Sequence, residues 1–296
     1  MHTPTSSSTA FFVSAADGTR VTTSTWSGVA GRPVGVVQIA HGLAEHGERY
    51  GRFARALNAA GFVVHAVDHR GHGRTANGRL GDFGAAGFGG LIADVAQFGA
   101  ALRTQHPGLP LFLLGHSMGS FAAQAAILDH AATWSGVVLS GSTALDMFAA
   151  AMANAPADAP AGLAAFNAGF EHRTGYEWLS RDAAEVDAYV ADPWCGWDIP
   201  DGVIPSLFAP AARLADPAQL AGIRSGLPVL IASGDADPLA GGGALLQLLG
   251  QRYRDAGLAD VTVTLYPGGR HEILNETNRD GVTADIVAWL QAHAAP

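Results

Sequence analysis

The sequence predicts an α/β protein in which a mostly parallel sheet is covered by helices on both faces and interrupted once by a helical insertion. Three observations carry this expectation. Short apolar runs recur at residues 34–39, 62–67, 111–114, 137–139, 229–231 and 261–265, the lengths of strands buried on both faces. Between them, apolar residues return at helical spacing: Leu91, Val95, Phe98 and Leu102, then Phe121, Ala125 and Leu128, then Leu245, Leu249 and Tyr253. The alternation then stops between about residues 142 and 215, where Ala-rich and Pro-containing segments show no strand pattern.

Taken in order, residues 1–9 hold Thr, Ser and Pro without the basic start and apolar core of a secretory signal, and they are expected to form a loose tail. Two alternating runs, 10–13 and 21–26 around Asp17-Gly18, predict an antiparallel hairpin at one edge, which brings the sheet to eight strands. Core sequence is expected at 1–141 and 216–296, with the insertion at 142–215. The insertion carries Phe148, Phe166, Phe170, Trp178, Trp194, Trp197 and Phe208, enough to roof an apolar pocket over the carboxyl edge of the sheet, where such folds bind ligands. Its stretch 149–165 is the nearest approach to low complexity. A last helix is expected near 285–294.

Composition narrows the class. Of 296 residues 48% are hydrophobic, so filling a core is no difficulty. The net charge of -9 and the lack of a Lys/Arg run exclude a phosphate-tracking surface, so nucleic acid is not an expected partner. No apolar run approaches the ~18 residues needed to cross a bilayer, although an apolar lid can touch a membrane surface transiently. The single Cys195 has no disulfide partner, reads as a packed thiol and suits a cytoplasmic setting.

The chemistry centres on Gly115-His116-Ser117-Met118-Gly119. A bare G-x-S-x-G in so glycine-rich a chain is expected by chance about a quarter of a time. Here, however, an apolar run ends directly before it and an Ala-rich helical pattern starts directly after it. A strand, a sharp turn and a helix put Ser117 at the apex of an elbow, with small residues needed two places on either side. A hydroxyl needs a base, and the base needs an orienting acid, both following in the order Ser, acid, His at later strand ends. His271 follows the last apolar run and the turn Pro267-Gly268-Gly269-Arg270, the position for the base. For the acid, Asp237 is preferred over Asp235 and Asp146, because a few residues beyond the strand are needed to curl back toward the histidine. An oxyanion needs two amide donors, and the N–H groups of Met118 and Leu43 are the candidates.

Three spaced motifs, His41-Gly42-x-x-Glu45-His46-x-x-Arg49-Tyr50, Asp68-His69-Arg70-Gly71-His72-Gly73 and the serine elbow, together resemble the monoacylglycerol lipase and lysophospholipase group of α/β-hydrolases. The insertion, through Phe170-Glu171-His172-Arg173-Thr174 and Asp192-Pro193-Trp194-Cys195, looks more like that of bacterial lysophospholipase-type members. The resemblance implies the α/β-hydrolase fold and cofactor-free hydrolysis of small acyl esters by Ser117, Asp237 and His271, with Leu43 and Met118 as donors. His41, Gly42, His116, Phe148, Phe170 and Trp194 are expected to contact substrate. The chain departs from the family pattern at Arg74-Thr75, where x-Ser usually follows Gly73.

His65, His69 and His72 fit a strand and a turn better than a metal site, and Glu45 with Arg49 reads as a local ion pair. Two rival readings remain. A peptidase on the same triad would need a carboxylate in the insertion to hold a substrate ammonium, with Glu171, Asp182, Glu185 and Asp187 as candidates. A non-catalytic binding protein on a hydrolase scaffold is the other.

Overall fold

The computed structural model describes residues 7–154 and 162–294. Residues 1–6 of the expected tail and 155–161 of the Ala/Pro stretch lie outside them. The tail is shorter than expected, because Ser8 and Thr9 already belong to the first strand. Eight strands form one sheet: β1 (Ser8–Val13), β2 (Arg20–Trp26), β3 (Gly35–Ala40), β4 (Phe62–Val67), β5 (Leu111–His116), β6 (Gly136–Ser140), β7 (Val229–Gly234) and β8 (Val261–Tyr266). Their spatial order is β1-β2-β4-β3-β5-β6-β7-β8. The hairpin pairs antiparallel with itself and with β4, and every later pairing is parallel.

Strands β3 to β7 are buried along their whole length, as continuous apolar runs require. The exception is β8, whose residues 261–265 are half-exposed or exposed. It is the last strand of the sheet, with a neighbour on one side only, so the expectation of burial on both faces fails there.

Among the described residues ten helices follow in chain order: α1 (Gly51–Ala59), α2 (Gly87–Gln105), α3 (Met118–His130), α4 (Leu145–Ala153), α5 (Ala183–Ala191), α6 (Val203–Leu207), α7 (Ala211–Ala215), α8 (Pro217–Leu220), α9 (Ala244–Asp255) and α10 (Arg279–Ala294). Phe53 and Leu57 of α1 and Val282, Ile286 and Leu290 of α10 fill one face of the sheet. The buried sides of α2, α3 and α9 fill the other, and that core runs on without a break into Leu145, Phe148, Trp178 and Leu179 of the insertion. Helix α1 escapes the sequence pattern because nine residues offer only a short apolar stripe. Between β6 and β7 the described residues hold helices and turns but no strand, placed over the carboxyl ends of the parallel strands.

Candidate active site

β5 ends in the buried pair Gly115-His116 and hands over to α3 at Ser117, whose backbone has φ 52 and ψ -123. That conformation is strained for any residue with a Cβ and is held by its surroundings. A Cβ on Gly115 would lie 2.5 Å from the carbonyl oxygen of Gly119, and one on Gly119 would collide with the Ala40 carbonyl oxygen, so only glycine fits at either place. The Ser117 side chain makes no capping bond to α3 and lines the cavity instead.

The loop after β8 carries His271 and the loop after β7 carries Asp237, both buried. His271 Nδ1 lies 2.9 Å from Asp237 Oδ2. The same oxygen accepts from Ser233 Oγ at 2.7 Å, and Oδ1 accepts from the Leu239 N–H at 2.9 Å, so the carboxylate is fixed on both sides. Burial would raise the Asp237 carboxyl, but His271 and these donors hold it below its ordinary value. Burial likewise disfavours the imidazolium, yet Asp237, with Glu272 and Glu45 farther off, carries the His271 pKa above 6.5. The other two carboxylates are occupied elsewhere: Asp235 accepts the Gly268 N–H at 2.6 Å, and Asp146 grips Arg252 through both oxygens at 2.6 and 2.9 Å. Ser117 and His271 line one cavity without a hydrogen bond between them.

Opposite the elbow, the loop after β3 is gripped at Gly42 from both sides. The Gly42 N–H donates to Glu45 Oε1 at 2.5 Å, and its carbonyl lies 2.7 Å from His41 Nδ1. His41 Nε2 accepts the His69 N–H at 2.9 Å, so its proton sits on Nδ1 and the ring donates to Gly42. Burial lowers the His41 pKa and keeps that ring neutral. The Gly42–Leu43 peptide is therefore fixed, and among the described residues neither the Leu43 nor the Met118 N–H donates to a protein acceptor. A Cβ on Gly42 would lie 3.2 Å from Ser117 Cβ, so this loop closes on the serine itself.

Between these loops and the insertion lies a narrow cavity. Its wall is apolar, built from Phe148, Phe166, Ile204, Leu207, Phe208 and Leu239. The lining also includes the polar residues Glu45, His116, Tyr189 and Glu272, together with Ser117 and His271. Of the residues expected to touch substrate, Gly42, His116 and Phe148 line the cavity. His41 lies behind the loop and supports it. Phe170 packs against the Arg270 guanidinium, 4.7 Å away, and Trp194 is partly exposed against His46, so neither lines the cavity.

Sequence reasoning placed Trp178 only among the roof aromatics, without its contact to His271, ring centres 4.8 Å apart, and missed Tyr189, whose hydroxyl donates to the Ala44 carbonyl at 2.8 Å. It also missed the role of Glu272. Arg49 donates to Glu45 at 2.7 Å and forms a two-pronged pair with Glu272 at 2.6 and 2.7 Å, so it joins loops 223 residues apart instead of forming only a local pair. Burial raises both carboxyls and Arg49 outweighs it, leaving Glu45 and Glu272 below their ordinary values. His116 is pushed down to about 4 by burial and by neighbouring His271, and so is neutral near pH 7.

The three histidines do not converge: His65 pairs with Thr25 and His106, whereas His69 and His72 pack around His41. Thr75 closes the turn after β4, donating to the Asp68 carbonyl at 2.6 Å and accepting from the Thr22 N–H at 2.8 Å. Cys195 is buried and its thiol is pushed well up by that burial, as a packed thiol should be.

The family model Hydrolase_4 (Serine aminopeptidase, S33) matches residues 31–278. A monoacylglycerol lipase of Mycolicibacterium smegmatis is 31% identical over 277 residues, covering 88% of this chain and 89% of that protein. A monoglyceride lipase of Mus musculus is 28% identical over 281 residues, covering 90% of this chain and 85% of its own. Among solved structures, a thermostable carboxyl esterase from Bacillus coagulans in complex with glycerol superposes with a TM-score of 0.85 at 27% identity, covering 98% of this chain and 99% of its own. With the fold, the strained serine elbow and a match across most of its length, the chain belongs to the Hydrolase_4 (Serine aminopeptidase, S33) family of α/β-hydrolases.

Proposed function

We propose that this protein is a carboxylic ester hydrolase that cleaves monoacylglycerols through an acyl-enzyme on Ser117. The carrying observation is the lining of the cavity that holds Ser117 and His271: mostly apolar side chains suited to an acyl chain, with Glu45, His116 and Glu272 as polar groups able to meet a small hydroxylated alcohol. Lipases and an esterase among the similar proteins support the same reaction class.

In this scheme Ser117 attacks the ester carbonyl while His271 Nε2 takes its proton, and the Leu43 and Met118 N–H groups hold the oxyanion, each worth ~10²–10³ in rate. His271 protonates the leaving alcohol, then activates the water that releases the acyl group, with Asp237 ionised throughout. The 142–215 insertion acts as the cap between the 1–141 and 216–296 parts of the core and forms the pocket roof.

These polar groups also discriminate. Two carboxylates share one guanidinium there and His116 is neutral, so the charge beside Ser117 is net negative. That disfavours the phosphodiester of a lysophospholipid and leaves an uncharged glycerol as the fitting leaving group. Nor do the insertion's carboxylates offer an ammonium site: Asp182, Glu185 and Asp187 pair with Arg279, Arg52 and Arg173, and Glu171 lies outside the cavity.

No helix among the described residues is long and apolar enough to cross a membrane. Transient contact with a lipid surface would run through α4, where Met147 is 46% exposed, and the single buried thiol suits the cytoplasm. The test is hydrolysis of 1-monoacylglycerols from acetyl to palmitoyl beside the matching lysophosphatidylcholines. Preference for monoacylglycerol, lost in Ser117→Ala, supports the proposal; equal or better cleavage of the lysophospholipids overturns the substrate assignment.

A further inference from the structure

We propose that Glu276 is a positioning residue for the His271 imidazole, fastening the loop that bears it to the inner edge of the insertion so that pocket roof and base are held as one unit. This rests on His271 being the general base.

Glu276 is completely buried between the His271 loop and α10. Its Oε1 accepts the Arg270 N–H and the Arg181 N–H, both at 3.0 Å. Its Oε2 accepts Arg181 Nε at 2.8 Å and the Thr277 N–H at 2.8 Å. One carboxylate thus holds the peptide immediately before His271 and the backbone of the insertion together. Around it the two segments run side by side like short strands. The His271 N–H donates to the Trp178 carbonyl at 3.2 Å and the Glu272 N–H to the Leu179 carbonyl at 2.8 Å. Arg270 Nη1 donates to the Glu177 carbonyl at 2.6 Å, and Ser180 Oγ to the Asn275 carbonyl at 2.8 Å.

The consequence lies in how the imidazole is held. Its bond to Asp237 fixes one nitrogen but leaves the ring free to swing about that contact. Trp178, tilted against the imidazole with ring centres 4.8 Å apart, and the pinned main chain remove that freedom. Without the Glu276 carboxylate, the Arg270 and Arg181 N–H groups lose their acceptor in a buried setting, and the loop relaxes to satisfy them. Nε2 then loses its aim at Ser117, although Glu276 touches neither substrate nor triad. Displacements of about 1 Å in such groups cost up to about 10²-fold in rate.

The experiment compares Glu276→Ala, Glu276→Gln and Arg181→Met with Arg213→Gln, a remote control that removes an exposed pair with Asp129. Acylation by p-nitrophenyl butyrate, kcat and KM, the pH profile of kcat/KM, and the low-field proton resonance of the His271 Nδ1–H are measured in full-length protein. Glu276→Ala is expected to slow acylation about 10- to 100-fold with KM little changed, and to shift or broaden that resonance. Glu276→Gln, keeping one oxygen for both backbone donors, falls between it and wild type, Arg181→Met loses less, and Arg213→Gln loses nothing. Wild-type acylation and an unshifted resonance in Glu276→Ala overturn the proposal, even if its Tm has fallen. Should that variant not fold, an unaltered rate and pH profile in Glu276→Gln does the same. Ester hydrolysis surviving in Ser117→Ala marks failure of the underlying triad reading instead.

Discussion

The two halves of the insertion over the active edge are held by different forces. Residues 177–192 are tied down by directional polar contacts: Arg181 with Glu276, Asp182 with Arg279, Glu185 with Arg52, Asp192 with His46, and the Tyr189 hydroxyl with Ala44. The half built from α4, Phe166 and α6 meets the core through Phe148, Phe166, Leu207 and Phe208, side chains that attract without direction. Among the described residues its one strong polar tie is at the foot, Asp146 with Arg252. Directional bonds fix a geometry and non-directional packing tolerates sliding, so the His271 loop is held by the first kind of contact and the apolar cavity is walled by the second.

The predictions sharpen that contrast. At the rigid end, Asp237→Asn should lower kcat by about 10⁴-fold on every ester, measured with p-nitrophenyl substrates, because the amide stabilises the wrong imidazole tautomer. The same variant gives a pH test. His271 must be neutral to act, and Asp237 raises its pKa, so the acid limb of kcat/KM in the wild type lies above 6.5 and moves to lower pH in Asp237→Asn. A wild-type limb below 6.5 would contradict this account.

At the compliant end, Phe166→Ala should lose on the order of 10- to 100-fold in kcat/KM on palmitoyl esters and almost nothing on acetyl esters. Arg270→Ala, which removes the bonds to the Glu177 and Ser180 carbonyls, should cost about tenfold in kcat at every acyl length alike. If Phe166→Ala behaves as Arg270→Ala does, the two halves do not divide the work. The smallest effect belongs to Arg52→Ala. Its partner Glu185 lies near the rim and Arg52 is 42% exposed, so stability should fall by less than about 1 kcal/mol and the difference should shrink at high salt in thermal melts.

Much of this was legible in order along the chain. The six parallel strands are apolar runs with helices between them, and the hairpin around Asp17-Gly18 has the alternation its pairing demands. The serine elbow could be found because the steric demand of the turn is written as two glycines at fixed offsets. Asp237 could be preferred over Asp235 because the number of residues past a strand sets how far a loop reaches back, and in the structure only Asp237 meets the histidine.

The insertion was less legible because its aromatics follow no period. Phe166 and Phe208 line the cavity, whereas Phe170 and Trp194 pack elsewhere, and all four look alike in sequence. The Arg49 to Glu272 pair lay out of reach because the partners share no local pattern and are 223 residues apart.

The sequence by itself determined the layered sheet, the order of its strands' loops and the strained turn that exposes Ser117, because these follow from periods of two and 3.6 residues and from the sizes of neighbouring side chains. Only the tertiary structure decided which aromatics line the cavity and how Arg49 and Glu276 lock distant loops together. Those are contacts between segments whose meeting is set by how the whole chain packs, and a one-dimensional pattern carries no record of direction across a crevice.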